Sequence, residues 1–379
     1  MSEQSLPIYI GVMTGTSIDG LDLAAISVTA DDQIQFLTCK NQDLPTALTA
    51  ALRRLARSEA VNFNDYGSVD AQLGEYIGRC VSAWIDELQQ RDVLRRADIK
   101  AIGSHGQTVH HAPDTEHPFT LQIGDPNRIA AAARLPVVAD FRRADIAAGG
   151  QGAPLVPPFH QRMFADPDEH RVVCNIGGIS NITDLPAGTQ TNRPTNGLTG
   201  FDTGPGNTLL DAWHAKHHDT HGSIDRDGAW ARGGKVNQAL LEQLLTDPYF
   251  ALSPPKSTGP EYFNLDWLSR QLPSEAAVDT QATLVELTAR SICDALPSTT
   301  ETLILCGGGR HNGYLVERIA KLCNARVSAC DALGIDGDGL EAAAFAWLAS
   351  RTLNGLPGNE PSVTGARGAV VLGNVTPAP

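Results

Sequence analysis

Gly200-Phe201-Asp202-Thr203-Gly204-Pro205-Gly206-Asn207 packs three glycines, one proline and one carboxylate into eight residues. The segment behind it, Thr208-Leu209-Leu210-Asp211-Ala212-Trp213, reads as the start of a helix. Glycines at this density let backbone N–H groups come close to an anion, and a helix N-terminus adds partial positive charge. A carboxylate held among them suits a general base or a water-mediated magnesium partner. A tight turn with Asp202 as helix cap is the plainer reading of the same residues. The surrounding chain has to decide between them.

Just upstream, Arg171–Ile176 reads as a strand, Gly177-Gly178 as its turn and Ile179–Asp184 as a second strand. The same layout occurs near the start. Ile8–Met13 is a short apolar run, Thr14-Gly15-Thr16-Ser17-Ile18-Asp19-Gly20 a polar turn, and Leu21–Val28 a second strand. Gln33 to Cys39 suits a third. A hairpin tip of hydroxyls, glycines and acids can wrap a phosphate, although a merely polar turn has the same composition. It is not a Walker loop, because no Gly-Lys-Ser/Thr follows and a strand rather than a helix comes next. Downstream, Thr302–Cys306 reads as a buried strand ending in Gly307-Gly308-Gly309-Arg310-His311-Asn312, with a helix from Tyr314 to Cys323 and a further strand near Val327. Three glycines between strand and helix let a flat ligand lie on the backbone.

Between these landmarks, residues 44–97 carry helical spacing at Leu48, Leu52 and Leu55 and again at Leu73, Ile77, Val81, Trp84, Ile85 and Leu88. Asp98–Gly103 returns to a strand that ends in Ser104-His105-Gly106-Gln107, a polar edge suited to a ligand. His105, His110, His111 and His117 do not have the spacing of a standard zinc set. Phe119–Ile123 reads as a strand and Ile129–Arg134 as a short helix. In the strand beginning at Pro136, Asp140 and Arg142 flank Phe141, which at strand alternation puts both on one face. Such a pair suits a polar sugar, or is a surface ion pair of small consequence. Ala148–Pro154 is glycine-rich and reads as a linker or hinge. His214, His217, His218 and His221 read as a solvated face. Residues 279–296 form a helix with Thr283, Leu284, Leu287, Ile292 and Leu296 as its seam. Asp336–Gly339 leads into an Ala-rich helix whose first turn carries Glu341, a place where a carboxylate also simply complements the helix dipole.

A chain of 379 residues is long for one core. Its net charge of −14 and lack of a basic run argue against a nucleic-acid surface. Seven cysteines without a C-x-x-C pair read as reduced thiols. No stretch approaches the roughly 18 apolar residues of a membrane helix, and the N-terminus does not read as a secretory signal. The expectation is a cytoplasmic enzyme that binds neither nucleic acid nor membrane.

Two hairpin-then-helix halves followed by strand-GGG-helix resemble the duplicated α/β fold of actin, hexokinase-like sugar kinases and heat-shock ATPases (ribonuclease H-like halves). The likeness is closer to the anhydro-N-acetylmuramic acid kinase family. It is carried by Gly11–Asp22, Gly103–Thr108, Asp140-Phe141-Arg142 with Gly149–Pro157, Asn175–Gly178 and Phe201–Asn207. Asp225–Gly228, Lys256–Gly259 and Cys306–Gly309 add to it. The resemblance implies two domains with an interdomain cleft, 1–134 carrying the first phosphate hairpin and part of the sugar site. Residues 135–379 carry the second phosphate loop and the adenosine site, with the extreme C-terminus free to return to the first domain. It implies ATP-dependent phosphorylation of O6 of 1,6-anhydro-N-acetylmuramic acid with hydrolytic ring opening, in peptidoglycan recycling. Asp202 is then the catalytic base. Nucleotide contacts fall on Gly15, Thr16, Ser17, Ile18, Asp19, Gly20, Leu21, Asp22, Gly177, Gly204, Gly206, Asn207, Gly307, Gly308 and Gly309. Sugar contacts fall on His105, Gln107, Asp140, Arg142 and Glu341. Mg2+ is expected through waters near Asp19 and Asp202, the cleft closes about residues 134–152, and a homodimer is a family-level expectation. Two other readings share the pattern. A non-catalytic ATP-dependent module of this fold would lack the polar cluster at 104–107 and 140–142. A hydroxyl kinase for an open hexosamine would differ only in not needing the anhydro ring.

Overall fold

The computed structural model describes residues 6–15, 18, 20–58, 60–189, 198–218, 224–254, 256–272 and 276–379. Thr16, Ser17, Asp19 and His221 therefore lie outside the described residues. Ile8–Met13 (β1), Gly20–Val28 (β2) and Ile34–Asp43 (β3) form an antiparallel meander, and Ile99–Ser104 (β4) runs parallel to β1 on its other side. Gln107–Ala112 (β5) and Phe119–Ile123 (β6) make a separate antiparallel pair, and Val137–Ala139 (β7) runs parallel to β4. Arg171–Ile176 (β8), Ile179–Leu185 (β9) and Thr199–Pro205 (β10) form a second antiparallel meander. Thr302–Cys306 (β11) is parallel to β8, and Arg326–Ala329 (β12) to β11. Asn374–Thr376 (β13) closes the edge beside β7.

The two large sheets run β13-β7-β4-β1-β2-β3 and β10-β9-β8-β11-β12. Each has three antiparallel strands followed, across the first of them, by two parallel ones. The repeat of hairpins in the sequence is thus a repeat of topology. The notable change concerns the opening stretch. Thr199–Pro205 is a strand paired with β9, its register broken between Asp202 and Gly204, rather than a free glycine turn.

The chain divides into two compact units, one of the residues up to Met163 and from Asp338 onward, the other of the described residues between Phe164 and Gly337. The boundary expected at 134/135 moves because β7 pairs with β4 and so belongs to the first sheet. The stretch expected as a hinge, 134–152, lies inside that unit and includes the short helix Arg143–Ala147.

In the first unit, the helix Phe63–Gln90 starts on an Asn62 cap that accepts from Asn64 N and buries Val69, Leu73, Ile77, Val81, Trp84, Ile85 and Leu88. The helix Thr46–Ala56 adds Leu48, Leu52 and Leu55. The opposite face of the sheet is covered by Leu340–Leu353, whose buried residues run from Leu340 to Ser350 with only Glu341 left out. This helix lies on the strands at backbone distance. A Cβ on Gly11 of β1 would collide with the Ala342 carbonyl oxygen, and one on Gly103 of β4 with that of Phe345. Only glycine permits that approach. In the second unit, the helix Ala277–Asp294 is buried on nearly every side, and its polar residues are used inside. Thr288 Oγ1 donates to Gly206 O at 3.1 Å and Gln281 Nε2 to Leu210 O at 3.3 Å.

Two local expectations are corrected. Asp140 has φ +62, so β7 ends at Ala139 and Asp140 and Arg142 do not alternate along a strand. His214 is buried rather than solvated, its ring stacked on His218 at 4.1 Å and edge-on to Trp230 at 5.5 Å. Among the described residues no helix is long and apolar enough to cross a membrane.

Gly11→Ala is expected to lower the unfolding free energy by about 3 kcal/mol, at the upper end of overpacking costs, since a helix backbone rather than a flexible side chain must move. Gly67→Ala, exposed within Phe63–Gln90 with nothing within 4 Å of its Cβ, is expected to gain up to about 1 kcal/mol. Urea unfolding of both variants checks the contrast, and equal effects would remove the close-approach argument.

Candidate active site

In the second unit Asp202 is held from three directions. Its N–H donates to Lys256 O at 3.2 Å, its carbonyl accepts from Tyr249 Oη at 2.7 Å, and its Oδ2 accepts from Thr258 N at 2.9 Å. Burial pushes the carboxyl up to about 6, Glu261 pushes in the same direction, and the Thr258 amide pulls it back. The neighbouring Tyr249 phenol is raised by its own burial and by the Asp202 charge. A carboxylate of this kind is ionised at neutral pH yet basic enough to take a proton.

The glycine turns beside it divide into those that pack and those that stay open. Gly206 N donates to Gly178 O at 2.9 Å and Asn207 N to Gly177 O at 2.8 Å, while Asn207 Nδ2 reaches Ile176 O at 3.2 Å. These amides close the β8–β9 turn, so the expected donation by Gly206 and Asn207 to an anion gives way to a structural role. Gly204 is likewise paired, opposite Ser180. Gly307, at φ +75, would strike Asn175 Oδ1 with any Cβ, and Gly309 would strike Ile176. A Cβ on Gly178 or on Gly308 would meet nothing within 4 Å. Those two mark where the backbone is open to a ligand, and Gly178, though part of the turn read from the sequence, was not among the expected nucleotide contacts.

In the first unit, the end of β4 gathers a second cluster. His105, 4% exposed, donates from Nδ1 to Gly106 O at 2.7 Å, and its Nε2 accepts from Arg142 Nε at 2.9 Å. One neutral tautomer satisfies both bonds, in keeping with a pKa driven well below the ordinary value by burial and by Arg142. Arg142 Nη1 donates to Gly152 O at 2.8 Å. Burial pulls its guanidinium down to about 10, against the carboxylates of Glu341 and Asp145. Phe345 packs 4.6 Å from the His105 ring and 5.4 Å from Phe141. Gln107, 1% exposed, uses Nε2 on Thr108 O at 3.1 Å and leaves Oε1 without a partner among the described residues, as is Ser104 Oγ. A buried polar atom left so is costly unless a ligand meets it.

Asp140 stands apart from Arg142. Its carboxylate accepts from Asn374 Nδ2 at 3.0 Å and lies 3.5 Å from Arg143 Nε. Around the expected phosphate hairpin, Thr14 Oγ1 donates to Gly106 O at 3.3 Å, so the end of β1 is tied to the His105 turn. Gly20, Leu21 and Asp22 lie within β2, with Leu21 fully buried and Asp22 paired to Met13 and, through its side chain, to Asn41 Nδ2 at 2.6 Å. Ile18 has φ +52, strain for a β-branched residue. Missed from sequence altogether was Asp145, 0% exposed. It accepts from Gly152 N, Asn359 Nδ2 and Thr364 Oγ1, each at 2.7 Å, and so holds the loop that receives Arg142.

Two sheets of one topology make a duplicated α/β fold, and the second carries a raised carboxylate beside its glycine turn. The chain belongs to the anhydro-N-acetylmuramic acid kinase family, whose sequence pattern matches residues 7–378. A protein of that name from Pasteurella multocida (strain Pm70) is 48% identical over 378 residues, covering 97% of this chain and 96% of its own. Another, from Coxiella burnetii (strain RSA 493 / Nine Mile phase I), is 46% identical over 373 residues with the same two coverages, 97% and 96%. Among solved structures, a ROK family glucokinase from Streptomyces griseus in complex with glucose and AMPPNP is similar at 13% identity and a TM-score of 0.35, covering 90% of this chain and 97% of its own. That likeness is too distant to inform the site.

The raised carboxyl of Asp202 has a consequence for stability. From an ordinary value of 3.8 to about 6, the folded protein binds the proton more tightly than the unfolded chain, so stability falls as pH rises through that window and stays lowered above it. Asp202→Asn is therefore expected to stabilise the protein at pH 8 by on the order of 2 kcal/mol, with the gain fading towards pH 4. Thermal melts at the two pH values check this, and an unchanged Tm at pH 8 would contradict the cost of the buried charge.

Proposed function

We propose that this chain carries out the reaction for which its family is named, using ATP to phosphorylate 1,6-anhydro-N-acetylmuramic acid while water opens the anhydro ring. Asp202 takes a proton from a water that attacks C1. The C1–O6 bond breaks, O6 attacks the γ-phosphorus, and the bond from that phosphorus to the β-γ bridging oxygen breaks. The products are N-acetylmuramic acid 6-phosphate and ADP. The observation that carries this reading is Asp202 itself, a half-buried carboxyl raised to about 6, held by the Thr258 amide and beside an open glycine turn. Phosphoryl transfer asks the protein mainly for positioning and charge stabilisation.

The remaining residues take roles that their contacts allow. The backbone at Gly178 and Gly308 lies against the nucleotide, with residues 14–19 cradling phosphate. Arg142, kept charged by Glu341 and Asp145 and aimed by His105, binds sugar oxygens. Gln107 Oε1 accepts from a sugar donor. Asp140, turned towards Arg143 and Asn374, is a weaker sugar contact than the sequence suggests. Magnesium, when bound, would be carried by the nucleotide phosphates and by waters that Asp202 and Asp19 orient, and would neutralise charge on the phosphates. A cytoplasmic place in peptidoglycan recycling goes with this reading.

Asp202→Asn is expected to fold and bind ATP while losing kcat by about 10²-fold or more. In the unaltered enzyme the acid limb of kcat is expected near pH 6. Steady-state kinetics with Mg-ATP and the anhydro sugar check both. More than about a tenth of the original kcat in the variant would end the base assignment.

A further inference from the structure

The Asp202 carboxylate depends on a loop that reaches it from elsewhere in the sequence. Lys256 O accepts from Asp202 N at 3.2 Å, and two residues on Thr258 N donates to Oδ2 at 2.9 Å. The loop brackets Asp202 with one bond to its backbone and one to its carboxylate. Its own anchor is the Lys256 ammonium. Nζ donates to Tyr249 O at 3.3 Å and reaches Phe250 O at 3.5 Å. It also lies 4.8 Å from the Tyr249 ring centroid and 5.8 Å from that of Phe201. Carbonyls and aromatic faces are a cage for a cation. Both rings belong to the site's own frame: Phe201 precedes Asp202 in β10, and Tyr249 donates its hydroxyl to Asp202 O.

A lysine held by carbonyls and rings is not there to neutralise a carboxylate. Burial in fact lowers its pKa from the ordinary value. What the cage fixes is where the main chain of 256–258 runs. We infer that Lys256 is a positioning residue, which by anchoring this loop to Tyr249, Phe250 and Phe201 keeps the Thr258 amide on the Asp202 carboxylate and so holds that carboxylate ionised and aimed. The inference rests on the reading of Asp202 as the base, and extends it to the residue that maintains the base.

The groups that face Asp202 can be named element by element. The loop brings Lys256, Thr258 and Glu261, and the turn Pro248–Ala251 brings Tyr249. β9 places Asn181 opposite it, and the helix Ala277–Asp294 reaches this part of β10 with Thr288 and Ser291, all three uncharged. With Glu261 acting to raise the carboxyl, the Thr258 amide is the group opposing it. Loss of the anchor therefore has one expected direction, upward.

Lys256→Met keeps an unbranched side chain only one heavy atom shorter and removes its donors and charge. The test is a ¹³C carboxyl NMR titration of Asp202 in the full-length protein, its resonance assigned with Asp202→Asn, alongside the pH profile of kcat. The expected result is a midpoint raised by roughly one pH unit, the worth of a hydrogen bond to a charged group. The acid limb of kcat follows it, and most of kcat returns at high pH. Lys256→Arg, which keeps charge and ring contact, is expected to shift less. A midpoint that stays put or falls in Lys256→Met overturns the inference, even if kcat drops. Should that variant fail to fold, Phe201→Leu removes one face of the cage and must show a smaller shift in the same direction, or the inference fails. A midpoint that moves without the kcat limb supports the anchor and counts instead against Asp202 as the base.

Discussion

The close approach of the helix Leu340–Leu353 to β1 and β4 is the constraint on which the first unit depends. Gly11 and Gly103 leave its carbonyls no side chain to clear, so the helix lies on the sheet backbone to backbone. From that one approach several features follow. The last residues of the chain return to the first sheet, where β13 pairs with β7. Phe345 reaches the His105 ring, and Glu341 comes near enough to Arg142 to support its charge. Asn359 and Thr364, further along, tie down Asp145 and with it the loop that accepts from Arg142. The polar cluster of this unit is built from segments over 200 residues apart, as the 214-residue separation of Asp145 and Asn359 illustrates.

The two clusters solve opposite electrostatic problems. Arg142 is a half-buried cation kept charged by two carboxylates and aimed by a histidine whose nitrogens are both committed. Asp202 is a half-buried anion given little help, one amide against desolvation and Glu261. The first arrangement suits steady recognition of oxygen atoms. The second suits a group that has to accept a proton and release it, because a carboxyl raised to about 6 is neither inert nor permanently protonated at neutral pH. The stability given up by burying Asp202 is the expected companion of such a site.

What the sequence could reveal was local. Strands β1, β2, β8, β9 and β11 are short runs with a glycine-bearing turn at one end, and the hairpin repeat was legible because both halves use the same punctuation. The glycines around Asp202 also marked the site. Their individual roles were not legible, because composition cannot tell an amide that faces a ligand from one spent on a carbonyl, as at Gly206 and Asn207. Alternation misled at Asp140 because a residue at positive φ ends a strand without changing its composition. Asp145 gave no local signal, because its partners Asn359 and Thr364 arrive from the C-terminal segment. Lys256 and Tyr249 gave no periodic signal at all, since their contact with Asp202 is made across a sequence gap that only the folded sheet closes.

The most direct test of the account is the fate of oxygen. The protein is incubated with Mg-ATP and 1,6-anhydro-N-acetylmuramic acid in ¹⁸O-labelled water, and the product is analysed by mass spectrometry. The account predicts one label at C1 of a sugar phosphorylated at O6, formed in step with ADP. A phosphorylated sugar without label at C1, or ADP released with the label in inorganic phosphate and the sugar unchanged, would contradict it.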